Sequence, residues 1–123
     1  MKWIICCALV VATFGSHCAA QNATCKSNRR VIGKCFTVRG RLNYWNGTPS
    51  TRIWIVGTHR VLGLPGEDLD LPSNVKIHLR DFSDEIYANF EVCPFDKYRK
   101  GEMQMVCVKS ASNVTANRTN DSE

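Results

Sequence analysis

Apolar and polar residues alternate most clearly in the segment that begins at Phe36. Every second position from Phe36 to Leu42 is apolar or glycine, and Arg39 and Arg41 lie between these positions. A period of two places neighbouring side chains on opposite faces of a β-strand. The segment therefore predicts a half-buried strand that carries both arginines on its outer face.

Four other segments have the composition or the alternation of strands. Residues 51–57 and 60–64 are rich in β-branched and aromatic side chains, whereas residues 86–92 and 103–107 alternate apolar with polar positions. Residues 75–79 also alternate, but a serine two positions earlier could cap a short helix, so a strand and a helix both remain open. Short strands separated by turn residues predict an all-β domain.

The pattern predicts one small β-sandwich of about seven strands, which spans residues 34–109. Before it, residues 21–33 are polar and basic and predict an irregular N-terminal arm. Residues 64–73 combine proline, glycine and acidic side chains, which predicts the largest loop. Residues 110–123 are rich in serine, asparagine and threonine and offer little to bury, which predicts a disordered polar tail.

The N-terminus has the pattern of a secretory signal peptide. An apolar run follows Lys2, and the small residues Cys18 and Ala20 suit cleavage after Ala20. The run is shorter than the roughly 20 apolar residues that span a bilayer, and no later stretch approaches that length. We therefore predict a signal peptide over residues 1–20, no transmembrane segment after its removal, and a secreted or extracellular location. In a bacterial source that location would be the periplasm or the envelope.

Four cysteines remain after the leader is removed, and an even number in an exported chain predicts two disulfides. Four cysteines allow three pairings, and we favour the two local closures, Cys25 with Cys35 and Cys93 with Cys107. Neither a C-x-x-C pair nor a histidine pair at ligand spacing occurs. The sequence therefore predicts no metal site and no cofactor.

Charge is divided unevenly along the mature chain. Residues 21–66 contain eight basic and no acidic side chains, whereas residues 67–123 contain seven basic and eleven acidic ones. A fold that gathers the first group on one face would attract an anionic glycan or an acidic extracellular protein. The alternative is that these charges serve solubility alone. No nucleic-acid-binding motif occurs, and we expect no nucleic acid partner.

Residues around the first predicted turn are the candidates for a binding face. Trp45 lies beside a turn with the sequence Asn-Gly-Thr-Pro and is expected to be exposed. Trp54 lies in a more apolar segment and is expected in the core. Three arginines at outward positions would join Trp45 in a basic aromatic surface suited to anionic ligands. The candidate residues are Arg39, Arg41, Trp45 and Arg52.

Triplets of the type N-x-S/T are acceptors for N-linked sugar in eukaryotic secretory pathways, and a bacterial host would not use them in this way. A fifth triplet, N-D-S, lies close to the C-terminus. The four that we predict as glycosylation sites begin at Asn22, Asn46, Asn113 and Asn117.

Two stretches of the chain resemble known proteins. The segments Val38–Leu42 and Arg52–Ile55, with the turn between them, follow the pattern V-x-G-x-L, G-x-P and a second apolar strand. This pattern resembles the opening of transthyretin-like and carboxypeptidase-regulatory-like β-sandwiches. The resemblance implies a prealbumin-like (Ig-like) sandwich and implies no function. A longer string, from Cys35 to the segment M-Q-M-V-C-V, is similar to small exported proteins whose activity is not assigned.

Catalysis would require side chains that converge. The mature chain has two histidines, His59 and His78, and acidic residues that could act with them as general acid or base, but no spacing links these groups. The sequence therefore predicts a secreted binding module that is not an enzyme and whose ligand is unknown. The alternatives are a structural component of the extracellular space or envelope and a small histidine-dependent hydrolase or metal enzyme.

Overall fold

The computed structural model describes residues 25–66 and 71–119. A short 3-10 helix covers Cys25–Ser27, and a single-turn helix, α1, covers Ser73–Lys76. The predicted signal peptide, residues 1–20, lies outside the described residues. The strands are β1 (Phe36–Tyr44), β2 (Thr51–Ile55), β3 (Val61–Leu64), β4 (Asp84–Pro94) and β5 (Gln104–Arg118).

The five strands form one sheet in the order β1-β2-β3-β5-β4, and β4 pairs with β1 to close the sheet into a barrel. Neighbouring strands are antiparallel except β3 and β5, which pair in parallel. The two halves of the sheet face each other across one core, which confirms the predicted class, a single small all-β domain with disulfides. The described part has five strands where about seven were predicted.

The ambiguous segment at residues 75–79 begins as a helix. The backbone carbonyl of Pro72 accepts hydrogen bonds from the N–H groups of Val75 and Lys76, at 3.0 and 2.9 Å. Val75 and Leu79, four residues apart, are buried, whereas Ile77 between them is 73% exposed. A short helix that begins at Ser73 is therefore confirmed, and it ends at Lys76, before Leu79.

The core consists of inward positions that the alternation predicts. Phe90, Leu42 and Ile53 are fully buried. A Cβ atom at Gly40 would overlap the Ile53 side chain and would lie 3.2 Å from Cδ2 of Phe90. Glycine in the middle of β1 therefore makes room for the Ile53 side chain and for the Phe90 ring. The residues between the buried positions of β1 and β2 consequently face outward.

β5 continues far beyond the predicted end of the domain. The prediction of disorder from residue 110 is wrong for residues 110–118, which pair with β4 down to Arg118. Their polar side chains face outward, while Ala111 and Val114 pack against the core, and a bulge at Asn113 has a φ of 51°. The long β4 supplies the hydrogen-bond partners, so this strand forms without an apolar pattern of its own.

Residues 28–35 have no regular structure and lie against the barrel. The backbone N–H of Ile32 donates to the carbonyl of Pro94 at 3.0 Å, and Val31 and Phe95 pack around the buried cysteines. Across residues 25–66 and 71–119, no helix is both long enough and apolar enough to cross a membrane.

Two disulfides tie the arm and the start of β1 to β4 and β5. They join Cys25 with Cys107 and Cys35 with Cys93, so the favoured local pairing is wrong. Antiparallel pairing of β1 with β4 begins at the residue after Cys35, which brings Cys35 opposite Cys93. The 3-10 helix places Cys25 beside Cys107. The disulfide pairing thus depends on which strands are neighbours in the barrel, and the spacing of the cysteines in the sequence does not predict it.

Candidate binding face

The outer side of the β1–β2 hairpin carries arginine and tryptophan side chains in adjacent positions. In the hairpin register Arg41 lies opposite Trp54, and Arg52 lies opposite Asn43. The residues between them point into the core, so the pleat turns these side chains outward. We define the arginine–tryptophan face as Arg39, Arg41, Trp45, Arg52 and Trp54.

Two of the arginines lie over tryptophan rings. Cζ of Arg41 is 4.8 Å from the ring centroid of Trp54, and Cζ of Arg52 is 5.7 Å from that of Trp45. The electron-rich ring face stabilises a cation by about 0.5–1 kcal/mol at exposed sites. Each tryptophan therefore holds a guanidinium group in a defined place at the surface.

Hydrogen bonds fix both rings. The indole N–H of Trp45 donates to Oδ1 of Asn43 at 3.0 Å, and that of Trp54 donates to the carbonyl of Thr58 at 2.8 Å. Trp45 is 39% exposed and Trp54 is half-buried. Rings held in this way lose little rotational freedom when a ligand binds, so the face is pre-organised.

Trp54 corrects one prediction. It was expected in the core, but it lies on the outer side of β2, between Ile53, which is fully buried, and Ile55, which packs against the core. The period of two therefore continues through β2, although this strand is apolar almost throughout. The alternation alone puts Trp54 on the same side of β2 as Arg52.

Arg39 and Arg52 also bond to the main chain. Nη1 of Arg39 donates to the carbonyl of Asn113 at 3.0 Å and to Oδ1 of Asn89 at 3.4 Å. Nε of Arg52 donates to the carbonyl of Pro49 at 2.9 Å. Arg39 therefore braces the β5 bulge, and Arg52 braces the turn between β1 and β2.

Ion pairs among the described residues leave the positive charge of the face unneutralised. Within the described ranges, no carboxylate lies within 4.0 Å of Arg39, Arg41 or Arg52, and the ion pairs of this part involve other basic residues. Nε of Arg41 is buried and has no hydrogen-bond partner among the described residues. The structure thus places all four predicted face residues on one hairpin and leaves their charge available to a ligand.

The two histidines do not meet. His59 lies between β2 and β3, His78 follows α1, and these exposed side chains line different clefts. The group with metal-ligand spacing among the described residues is Cys25, Cys93 and Cys107, all of which belong to disulfides. His59 and His78 therefore form no common site.

The predicted glycosylation sites lie at the surface where the structure describes them. Asn46 is exposed in the turn between β1 and β2, and Asn113 and Asn117 are exposed on β5. Asn22 lies outside the described residues.

A separate charge cluster anchors the start of β4. Asp84, whose side chain is 4% exposed, accepts hydrogen bonds from the backbone N–H groups of Arg80 and Asp81, at 2.8 and 3.2 Å. Burial raises the pKa of Asp84, but these bonds and the Arg80 guanidinium outweigh burial, and the pKa is lowered. The pKa of Asp81 is lowered by the backbone N–H of Ser83, and Arg118 adds to this effect against desolvation.

Fold and face together define a small disulfide-bonded barrel domain with a basic, aromatic outer side. Comparison of the chain with protein-family models, with curated proteins and with solved structures gives no match. The resemblance to transthyretin-like sandwiches therefore stays a prediction.

Proposed function

We propose that this chain is a secreted, non-catalytic binding module whose arginine–tryptophan face binds an anionic glycan. One observation carries the proposal. Three arginines lie on one hairpin, two of them over tryptophan rings, and no carboxylate in the described ranges pairs with them. Unpaired positive charge on ordered side chains attracts and orients an anionic partner.

The chemistry of arginine favours sulfate and carboxylate groups as the bound anions. A guanidinium group is planar and presents paired N–H donors that match two oxygens of one anion. Ordering a flexible side chain on binding costs about 0.5–1.5 kcal/mol, and the stacking of Arg41 and Arg52 reduces this cost in advance. A glycan that repeats sulfate or carboxylate groups would engage several arginines at once.

Export is part of the proposal. The two disulfides are compatible with an extracellular location, because such bonds persist in oxidising compartments. A leader over residues 1–20 would direct the chain there. The exposure of Asn113 and Asn117 supports N-linked sugar on β5 if the secreting cell is eukaryotic.

The test is binding of the mature protein to a heparin-derived octasaccharide, measured by isothermal titration calorimetry. Binding should weaken as salt is raised, because salt screens exposed charges. R41Q/R52Q should lose about tenfold in affinity, equivalent to about 1.4 kcal/mol. R29Q/K34Q removes the same charge from exposed positions before β1 and should change the affinity by no more than about twofold.

Each other outcome has a definite meaning. An unchanged affinity of R41Q/R52Q, or equal losses in the two double variants, would exclude the arginine–tryptophan face as the binding surface. Binding of polyglutamate but not of the octasaccharide would replace the glycan with an acidic protein. Self-association with no binding of either polymer would favour a structural component.

A further inference from the structure

A basic cleft lies beside the arginine–tryptophan face, where the turn between β2 and β3 meets the connection between β4 and β5. Its volume is about 460 Å³. It combines positive charge, an aromatic ring and an apolar wall. The lining residues that matter are His59, Arg60, Val61, Tyr98, Lys100 and Glu102.

Arg60 is held from two sides. Its Cζ lies 3.9 Å from the ring centroid of Tyr98, and its Nη2 donates to Oε1 of Gln104 at 2.9 Å. The amide nitrogen of Gln104 donates in turn to the carbonyl of Asp96 at 3.0 Å. Gln104 is only 7% exposed, and a buried amide is tolerated when both of its ends are bonded. The barrel thus buries a polar group whose oxygen orients one arginine.

Within the part of the chain that the structure describes, the charge of Arg60 is unpaired, as are the charges of the arginines on the arginine–tryptophan face. No carboxylate of the described residues lies within 4.0 Å of its guanidinium. His59 and Lys100 line the same cleft, and Glu102 is the single acidic residue among the described lining residues. A guanidinium fixed by an aromatic ring and an amide is arranged to receive an anion.

The cleft continues the arginine–tryptophan face. Val61 lines the cleft and is the register partner of Trp54, which is itself the partner of Arg41. The indole of Trp54 is also bonded to Thr58, in the turn that borders the cleft. Neighbouring strands lie about 4.8 Å apart, so Arg41 and the wall of the cleft are about 10 Å apart across β2.

We infer that the cleft is a second anion-binding subsite for the same ligand, which is an extended polyanion that crosses β1, β2 and β3. The inference rests on the proposed function. It adds the direction in which the glycan crosses the sheet and the minimum length that the glycan needs to reach both sites. One sulfated disaccharide reaches only one of the two sites. A longer chain places one anionic group over Arg41 and Arg52 and another beside Arg60 and Lys100.

The experiment compares a heparin-derived disaccharide with the octasaccharide in NMR titrations. Side-chain N–H signals of Trp45, whose indole is bonded to Asn43, and of Arg60 report the face and the cleft separately. K100E should weaken octasaccharide binding by about threefold to tenfold and leave disaccharide binding at the face unchanged. K97E is the matched control, because Lys97 is exposed in the same connection but does not line the cleft, and its effect should be smaller. R60Q provides a second variant at the anchored arginine.

The outcomes separate this inference from the proposed function. If K100E and R60Q bind the octasaccharide as the wild type does while R41Q/R52Q binds it weakly, the cleft is not a subsite and the proposed function stands. If K100E and K97E cause equal losses, the cleft contributes only general charge and the inference is overturned. If the wild type binds neither saccharide, the proposed function fails and the inference fails with it.

Discussion

At the residue scale, Asp84 is a charged side chain that the barrel buries almost completely. Its carboxylate accepts two backbone N–H bonds and lies 3.3 Å from the guanidinium of Arg80 and 3.5 Å from that of Arg118. Burial raises its pKa, but these contacts replace the lost water and lower the pKa overall. The residue thereby joins the loop before β4 to the end of β5.

Acid should destabilise the barrel through Asp84. A carboxyl whose pKa is lowered by folding contributes stability above its unfolded pKa, near 3.8, and loses that contribution as pH falls through the folded pKa. D84N lacks the contribution, so at neutral pH we expect it to be less stable by about 1–3 kcal/mol. Its stability should also fall less steeply than that of the wild type below about pH 4.

Urea unfolding at a series of pH values measures both effects of D84N. E102Q, which changes an exposed carboxyl, is the control and should follow the wild-type curve. Parallel pH curves for D84N and the wild type would contradict the role assigned to Asp84.

At the element scale, β5 is unusual because most of it has a strand partner on one side only. Its pairing with β3 covers Gln104 and Met105, whereas its pairing with β4 continues to Arg118. Beyond Met105, no strand of the described ranges occupies the other edge, although the side chain of Asn74 donates to the carbonyl of Ala111. Open edges invite pairing with another chain, and polar or bulky groups prevent it. Sugar on this strand would protect that edge.

We expect sugar on Asn113 and Asn117 when a eukaryotic cell secretes the protein. T115A destroys the first triplet and N117Q the second, whereas T115S keeps the first intact. Intact mass spectrometry should show one glycan fewer in each of T115A and N117Q and no loss in T115S. Identical glycan masses in all these variants would exclude modification at both sites.

Removal of both glycans should expose the β5 edge. The T115A/N117Q protein should therefore self-associate more than the wild type at high concentration, which light scattering measures. If both proteins stay monomeric to the same concentration, sugar does not protect the edge.

At the scale of the whole molecule, the two disulfides connect regions that are far apart in sequence. The bonded cysteines are separated by 82 and 58 residues. Crosslinks that close long loops restrict the unfolded chain most. In the chain-entropy description each of these disulfides stabilises the folded state by about 4 kcal/mol. They therefore add to the stability that one small core supplies.

Loss of either disulfide should destabilise the barrel. We expect C25A/C107A and C35A/C93A each to be less stable by about 2–4 kcal/mol in urea unfolding. Peptide mapping of the unreduced wild type at acidic pH, where thiol exchange is slow, should recover both long-range pairs. Recovery of Cys25 with Cys35 would contradict the arrangement described here.

The alternation of the sequence predicted the features that depend on neighbouring residues. It located β1, indicated the all-β class and placed Arg39, Arg41 and Arg52 on outward positions. The apolar composition of β2 predicts a core position for Trp54, whereas the period of two predicts the outer position that the structure shows. Residues 110–118 were misassigned because a polar strand carries no apolar signal and forms only beside β4.

The sequence by itself determined the strand periodicity, the absence of acidic residues before residue 67 and the four cysteines that follow residue 20. Only the tertiary structure decided that β1 pairs with β4, that the sheet closes into a barrel and that Cys35 meets Cys93. It also stacked Arg41 on Trp54 and joined their face to the cleft at Arg60. The physical reason is that a local pattern sets which way a side chain points. Strand partners depend instead on long-range contacts, whose free energies add up over the whole chain.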